Sequence, residues 1–343
     1  MNSSFSVITL FLTAGMFASE EITPYKYTDK EIKEVKEGLK VYNIPQKSRF
    51  IAKRTELEAP DIVYYMSIPD QSSFPITILC GGSSSKNELH SIIHFHRYFL
   101  KEFLDLGVGV LTVEQRGIDG NNIDQLEFMK YYTRSERLHN HQIIIENLKL
   151  YPPQGWNGKL IFLGVSEGGP LVTTLTSVYS DITTATINWC GAGNWSWRDE
   201  LWAFIEGIKK EIPWHVKLRM RFPKWLPFAI NFCLPKTRQE YDQIMDQTLQ
   251  DPDYNKEFMG MTYKYHADAL SYPKHNYNKI CTPMLVVAGD QDTIIHSADE
   301  FVEKAKEANV AISYLRVPGM NHYVRKYPDV VAQSFEWLKQ QLE

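Results

Sequence analysis

Apolar residues follow two patterns along the chain, and each predicts a different element. Short continuous runs, such as MLVVA at 284–288, are typical of strands buried on both faces of a sheet. Other segments carry apolar residues at spacings of three and four, which predicts helices. The predicted strands lie at 61–67, 75–80, 108–113, 159–165, 182–190, 283–289 and 310–317, and the predicted helices at 29–40, 90–106, 135–150, 297–308 and 328–342. This alternation predicts an α/β fold with a mostly parallel, doubly wound sheet.

One interval interrupts the alternation. Between Cys190 and Cys281 no strand pattern stands out, and the sequence is helix-compatible and rich in tryptophan. We interpret residues 191–280 as a helical cap inserted into a core formed by 20–190 and 281–343. Its aromatic residues either give the cap a core of its own or line an apolar wall that faces the substrate.

Charge and the N-terminal segment bear on partners and location. The net charge is -4, and the lysines and arginines are dispersed, so no concentrated basic surface for nucleic acid is expected. An apolar run at 6–18 precedes two glutamates, which predicts that residues 1–19 are a signal peptide or an N-terminal anchor, with a merely buried N-terminal segment as the other alternative. We therefore expect export to the periplasm or the medium, with a membrane-anchored or cytoplasmic protein as alternatives. Membrane association is expected only through this segment, and the sequence does not define the oligomeric state.

The most informative motif lies at 164–168, where an apolar strand runs into GVSEG and then into a helix-compatible stretch. A serine hydroxyl is a weak nucleophile and must be held exposed on a tight strand-to-helix turn beside a base. Gly164 and Gly168 suit such a turn, because a Cβ would collide where strand and helix approach closely. Ser166 is therefore the candidate nucleophile.

Partners for Ser166 follow two later strands. The segment GDQDT comes after the strand at 283–289, and PGMNH comes after the strand at 310–317. The carboxyl ends of parallel strands meet at one edge of a sheet, so these side chains can gather there. The chain order is thus Ser166, then Asp290 or Asp292, then His322.

With these motifs, residues 60–343 resemble the α/β-hydrolase superfamily. The resemblance implies that the acid is Asp292, the last position of a Gly-x-x-Asp turn, with Asp290 as the alternative, and that His322 is the base. It also implies an oxyanion hole formed by the backbone N–H of Glu167 and a donor from the loop GGSSS at 81–85. That donor falls at Gly82, with Ser83 as the alternative, and Cys80 stands where the family usually has histidine.

Several other residues are candidates for binding roles. His90, His94 and His96 have a spacing that could place two imidazoles on one helical face, but no acidic or cysteine ligand follows nearby. We expect neither a metal nor a cofactor. The four cysteines show no metal spacing and are expected to be small buried hydrophobic residues. The Glu167 side chain could bind a cationic substrate group or merely support the turn.

The chain is partly similar to the proline iminopeptidase branch, through Gly81-Gly82 and the segment EQRG at 114–117. That branch usually has Pro, Asp and Trp where this chain has Ser83, Glu114 and Glu167. We expect a serine hydrolase that cleaves carboxylic esters of a small acyl substrate through an acyl-enzyme. The alternatives are an aminopeptidase like proline iminopeptidase, a thioesterase, and a non-catalytic binding or envelope protein on the same scaffold.

Overall fold

The computed structural model describes residues 49–54, 60–85, 89–120, 122–211 and 234–343. They form two compact units, of which the larger contains the central sheet. The smaller unit contains 195–211 and 234–271 together with Ser85. The predicted helix at 29–40, the N-terminal segment 1–19 and Cys233 lie outside the described residues. Within the described ranges, no helix has both the length and the apolar character needed to cross a bilayer.

An eight-stranded sheet organises the larger unit. In the part of the chain that the structure describes, the strands are β1 (Arg49–Ala52), β2 (Ile62–Ser67), β3 (Phe74–Cys80), β4 (Gly109–Val113), β5 (Ile118–Asp119), β6 (Asn122–Ile123), β7 (Trp156–Val165), β8 (Thr183–Trp189), β9 (Glu257–Phe258), β10 (Met261–Thr262), β11 (Met284–Gly289) and β12 (Ile312–Val317). The sheet order is β1-β2-β4-β3-β7-β8-β11-β12. Strand β2 is antiparallel to β1 and β4, whereas the other neighbours in this sheet pair in parallel.

Helices cover both faces of this sheet. The helices within the described residues are α1 (Ile93–Tyr98), α2 (Leu100–Asp105), α3 (Gln125–Tyr131), α4 (Arg134–Leu150), α5 (Gly168–Val178), α6 (Trp197–Glu211), α7 (Arg238–Gln250), α8 (Tyr263–Ser271), α9 (Ile295–Glu307) and α10 (Pro328–Leu342). Helices α6 to α8 belong to the smaller unit. Alternate residues of β7 enter two different cores. Ile161 packs with residues of α2 and α10, and Phe162 packs with residues of α4 and α5. Because both faces of the sheet are buried, the sequences of the central strands are continuous apolar runs.

The α/β-hydrolase fold expected from the sequence is confirmed in the larger unit. All seven predicted strands are present, with ends that differ by at most three residues. The single helix predicted at 90–106 is wrong, because the chain forms α1 and α2 with a break at Phe99 (φ -116°, ψ 9°). The Phe99 ring is buried edge-on against Trp189, with 5.1 Å between centroids, and so breaks the helix in favour of core packing.

The smaller unit has a hydrophobic cluster of its own. Ile205 of α6, Tyr241 and Met245 of α7, and Phe258 of β9 are buried in it, with Trp197 and Trp202 packed against them. These two tryptophans thus belong to the unit's own core. The two-residue strands β9 and β10 pair within an interval for which no strand was expected. The role of residues 191–280 as a cap stays a prediction.

Candidate active site

The turn after β7 holds Ser166 in a left-handed conformation, with φ of 54°. Few non-glycine residues adopt this conformation, and it stores backbone strain. The Ser166 N–H donates to the carbonyl of Trp189 at 2.9 Å. A Cβ on Gly164 would lie 2.5 Å from the Gly168 oxygen, and a Cβ on Gly168 would lie 2.0 Å from the Cys80 oxygen. Glycine is therefore required at both positions for β7, α5 and β3 to approach.

Ser166, His322 and Asp292 form a continuous chain of hydrogen bonds. His322 Nε2 lies 2.7 Å from Ser166 Oγ, and His322 Nδ1 lies 2.8 Å from Asp292 Oδ2. The Asp292 side chain is buried, while that of His322 is one-third exposed. In this geometry the imidazole can take the hydroxyl proton through Nε2, and the carboxylate can stabilise the imidazolium through Nδ1.

Asp290 has a different partner. Its Oδ1 accepts the backbone N–H of Gly319 at 2.8 Å, and the residue is half-buried. It thereby ties the loop after β11 to the loop that carries His322. The structure brings Asp292, and not Asp290, to the imidazole.

The loop after β3 runs beside the nucleophile. A Cβ on Gly82 would lie 3.4 Å from Ser166 Cβ and 3.8 Å from its Oγ, so the Gly82 backbone is a direct neighbour of Ser166. Glu167 is the residue that precedes the first turn of α5. The two backbone N–H groups expected from the sequence, those of Gly82 and Glu167, thus belong to residues that adjoin Ser166. Two such donors can stabilise an oxyanion.

The Glu167 side chain does not face an open site. It is buried, and its Oε2 accepts hydrogen bonds from Arg137 Nη1 at 2.7 Å and from the Tyr132 hydroxyl at 2.8 Å. Arg134 Nε lies 3.6 Å from Oε1. Of the two roles considered for this carboxylate, these contacts support the turn rather than a substrate cation.

Sequence reasoning missed Arg137 and Tyr132. Helix α4 begins after Thr133, whose hydroxyl accepts the N–H of Glu136 at 3.0 Å. One face of this helix is buried along its length. Its C-terminal half buries apolar residues such as Ile144 and Leu148, and its N-terminal half buries polar residues, namely Arg134, Arg137, Asn140 and His141. Their helical spacing was the available signal, but charged residues at the start of a helix usually indicate a solvent-facing surface.

The EQRG segment lies behind the loop after β3. The Glu114 carboxylate accepts from the Ser91 hydroxyl and from the Ile92 N–H at 3.0 Å. Burial raises the Glu114 pKa to about 7, against the lowering effect of these bonds. Gln115 Nε2 donates to Ser84 Oγ at 3.0 Å. Gln115 therefore ties this segment to the loop after β3, and Glu114 ties it to residues 91 and 92.

The histidine triplet is split. His96 is buried between Ser67 Oγ at 2.9 Å and Thr112 Oγ1 at 3.0 Å, and burial lowers its pKa to about 3. The rings of His90 and His94 adjoin each other, 6.5 Å apart. His96 thus joins two strands in the core, away from the other two.

Cys190, at the end of β8, is an unexpected neighbour of the site. One ligand-type atom each from Cys190, Asp292 and His322 lies within 4.8 Å of the others. The thiol is buried, and burial together with the Asp292 charge raises its pKa. Cys80 is also buried, with its pKa raised to about 12 by burial. Cys281 is exposed, so the expectation of burial is wrong for this cysteine.

Comparison with known proteins identifies the family. The family model described as "Serine aminopeptidase, S33" matches residues 90–327, well over half of the chain. No curated protein matches the sequence significantly.

Solved structures with the same fold include esterases and a peptidase. Est1E from Butyrivibrio proteoclasticus is 15% identical with a TM-score of 0.53, over 86% of this chain and 99% of that one. A thermostable carboxyl esterase from Bacillus coagulans is 13% identical with a TM-score of 0.51, over 86% and 97%. The acylaminoacyl peptidase of Pyrococcus horikoshii is 14% identical with a TM-score of 0.50, over 85% of this chain and 40% of that one. At these identities the likeness shows the shared fold.

Proposed function

The chain belongs to the serine aminopeptidase (S33) family of α/β hydrolases and is a hydrolase, and from this premise we propose that it cleaves carboxylic esters through an acyl-enzyme on Ser166. The observation that carries the proposal is the pair of hydrogen bonds that join Ser166 to His322 and His322 to Asp292. The strained backbone of Ser166 supports it, because such strain is typical of a nucleophile elbow.

The first half of the reaction acylates the serine. His322 Nε2 accepts the hydroxyl proton as Ser166 Oγ attacks the ester carbonyl carbon. The carbonyl oxygen becomes an oxyanion that accepts the N–H groups of Glu167 and Gly82. Collapse of this intermediate breaks the ester C–O bond, and the alkoxide leaves as an alcohol with the proton from His322.

The second half releases the acid. Water gives a proton to His322 and attacks the acyl carbon, and a second oxyanion forms in the same place. Its collapse frees the carboxylic acid and returns the proton to Ser166. Asp292 keeps the imidazole in the tautomer with Nδ1 protonated throughout.

Ester preference is supported by the surroundings of Glu167. An aminopeptidase must bind the α-ammonium group of its substrate, for which an acidic side chain beside the nucleophile is well suited. In this chain that carboxylate is buried and paired with Arg137. Aminopeptidase activity remains the rival, because the description of the family names it. A thioester would use the same serine and oxyanion.

The proposal also assigns roles to the N-terminal segment and to the inserted interval. Residues 1–19 are proposed to direct export or to anchor the protein, and residues 191–280 to act as a cap. Mass spectrometry of the N-terminus after expression with the native leader would reveal cleavage near residue 19. An intact Met1 would contradict a cleaved signal.

Fluorophosphonate labelling of the wild type and of Ser166→Ala, with peptide mapping, tests the nucleophile. We expect labelling confined to Ser166 and a loss of ester turnover of at least about 10⁴-fold in the variant. A series from p-nitrophenyl acetate to decanoate is compared with proline arylamides. Faster turnover of arylamides would favour the aminopeptidase, and a folded wild type that is neither labelled nor active would contradict the triad.

A further inference from the structure

Glu167 sits at the centre of a buried polar cluster that the reaction itself does not use. Its carboxylate is bound by Arg137 and Tyr132, and the side chains of Arg137 and Glu167 are 7% and 3% exposed. Burying an ion pair carries a desolvation cost that the attraction of the pair often fails to exceed, so the pair alone is weak evidence for a role in stability. The position of this ion pair, beside the nucleophile turn, indicates a different role.

Arg137 joins the nucleophile turn to the loop after β3. Its Nη1 donates to Glu167 Oε2 at 2.7 Å, while its Nη2 donates to the backbone carbonyl of Gly81 at 2.6 Å. A guanidinium is planar and presents its N–H groups in a rigid fork, so the two acceptors are held in a fixed relation. The ion pair therefore fixes the carbonyl of Gly81 relative to the residue that follows the nucleophile.

Peptide planarity carries this constraint to the next residue. In a trans peptide the C=O of one residue and the N–H of the next point in opposite directions. When Arg137 holds the Gly81 carbonyl on one side, the Gly82 N–H is presented on the other. Gly82 is also the residue whose backbone adjoins Ser166.

Tyr132 holds the same loop two residues further on. Its hydroxyl accepts the N–H of Ser84 at 2.9 Å and donates to Glu167 Oε2 at 2.8 Å. Burial raises the Tyr132 pKa, so the hydroxyl keeps the proton that it donates. Both ends of the segment 81–84 are thus tied to one carboxylate.

We propose that Arg137 and Tyr132 are positioning residues that, through Glu167, hold the two oxyanion donors in register. Glu167 has two roles in this arrangement: its backbone N–H is one donor, and its side chain anchors the loop that carries the other. The inference rests on the proposed function of Ser166. It extends that function by assigning a geometric role to three side chains that do not touch the reacting atoms.

Arg137→Lys is the sharpest variant. Lysine keeps the positive charge for Glu167, but its single ammonium group lacks the fork that holds both Glu167 and the Gly81 carbonyl. We expect kcat for a p-nitrophenyl ester to fall about 10- to 100-fold, less than the 10²- to 10³-fold typical of deleting a donor outright. KM is expected to stay within about threefold, because the donors act on the transition state.

Arg54→Lys is the matched control. Arg54 is also a buried arginine that binds a backbone carbonyl, that of Pro60 (2.7 Å), and a carboxylate, that of Glu136 (2.8 Å), and it donates to Asn140 Oδ1 as well (2.5 Å). None of these partners is Ser166 or a residue of the loop 81–84. The substitution should lower the melting temperature and leave kcat unchanged. Tyr132→Phe, which removes one hydroxyl, should lower kcat by a smaller factor than Arg137→Lys.

An alkyl trifluoromethyl ketone distinguishes positioning from a merely structural role. This probe adds to the serine and leaves an oxyanion, so its affinity for Arg137→Lys should fall by about the same factor as kcat/KM. Affinity for the carboxylic acid product should not change. A folded Arg137→Lys enzyme with wild-type kcat and ketone affinity would overturn the inference. An inactive wild type would instead contradict the function of Ser166.

If Arg137→Lys fails to fold, Glu167→Gln provides the measurement. The glutamine retains the backbone donor and a side-chain oxygen that can accept from Arg137, but it loses the charge. We expect kcat to fall at least threefold with KM unchanged. Unchanged kcat and ketone affinity in this folded variant would equally overturn the inference.

Discussion

Ser166 and Cys190 directly follow the neighbouring strands β7 and β8, and both adopt left-handed backbone conformations, with φ of 54° and 49°. Each such residue costs on the order of 1–3 kcal/mol and persists only because the surrounding structure imposes it. At Ser166 the strain exposes a nucleophile. At Cys190 it brings a thiol close to Asp292 and His322.

The Cys190 thiol should be unreactive in the folded protein. Burial and the neighbouring Asp292 charge raise its pKa, so little thiolate is present at pH 8. Iodoacetamide should therefore alkylate the exposed Cys281 and spare Cys190, as peptide mapping by mass spectrometry would show. In denaturant both should react. Equal rates in the native protein would contradict the environment described for Cys190.

The two acids after β11 offer a second test at the residue scale. Asp292→Asn should lower kcat by about 10⁴-fold, because the amide favours the wrong imidazole tautomer. Asp290→Asn keeps an oxygen that can accept the Gly319 N–H, so its kcat should stay within about threefold of the wild type. The comparison is made by steady-state ester hydrolysis. Comparable losses of kcat in the two variants would mean that Asp290 and Asp292 both act on His322.

The local sequence pattern was enough to predict the candidate triad but not the residues around Glu167. Ser166, Asp292 and His322 each follow an apolar strand, so a single sequence indicates them as candidates. Arg137 and Tyr132 gave no comparable signal. Their partners lie 30 and 35 residues away along the chain, and only the folded structure brings them to Glu167.

At the scale of elements, the contact between α5 and the end of β3 governs how the site is built. Gly168→Ala should destabilise the protein by several kcal/mol, because its Cβ would lie 2.0 Å from the Cys80 oxygen and the backbones would have to separate. Gly158→Ala is the control on β7. Nothing lies within 4 Å of its Cβ, and only its φ of 80° is unfavourable, at about 1 kcal/mol.

Urea unfolding of the two glycine variants gives the measurement. The Gly168→Ala protein should also lose fluorophosphonate labelling, because separation of the backbones would move Ser166. Equal midpoints for the two variants would mean that β3 and α5 are less closely apposed than described.

Prediction of the elements succeeded where burial is two-sided. Continuous apolar strands have few alternative conformations, so their ends were found within three residues. The strand β1 and the paired two-residue strands lack such a run and were missed. The break between α1 and α2 depends on the packing of Phe99 against Trp189, which are 90 residues apart in sequence, and the helical spacing could not reveal it.

For the whole molecule, buried titratable groups set the pH range of stability. Burial lowers the pKa of His96 to about 3 and those of His141 and His275 to about 4. Below the unfolded value of 6.5, the unfolded chain binds three protons that the folded protein does not, so stability falls as pH falls. Glu114 acts in the opposite direction. Its folded pKa of about 7 lies above the unfolded value of 4.5, so it binds a proton more tightly in the folded protein.

The three histidine protons that favour the unfolded chain outweigh the one Glu114 proton that favours the folded protein. The free energy of unfolding should therefore decrease by about 3 kcal/mol as the pH falls from 6.5 to 5. Urea titrations at several pH values measure this. Glu114→Gln should make the decrease larger by up to about 2 kcal/mol, since the opposing proton is then absent. Stability that stays flat over this range would mean that the histidines are already charged in the folded protein.

The ion pair between Arg137 and Glu167 also constrains how the two positions can evolve. A substitution that removes the Arg137 charge leaves the buried Glu167 carboxylate with Arg134 at 3.6 Å, and one that removes the Glu167 charge takes from the buried Arg137 its carboxylate partner; either state is disfavoured. The effects of substitutions at these two positions, which are 30 residues apart in sequence, therefore depend on each other. A lineage that exchanges the residue after the nucleophile has to replace the arginine as well, or pass through a weakened intermediate, so divergent relatives should carry either both residues or neither.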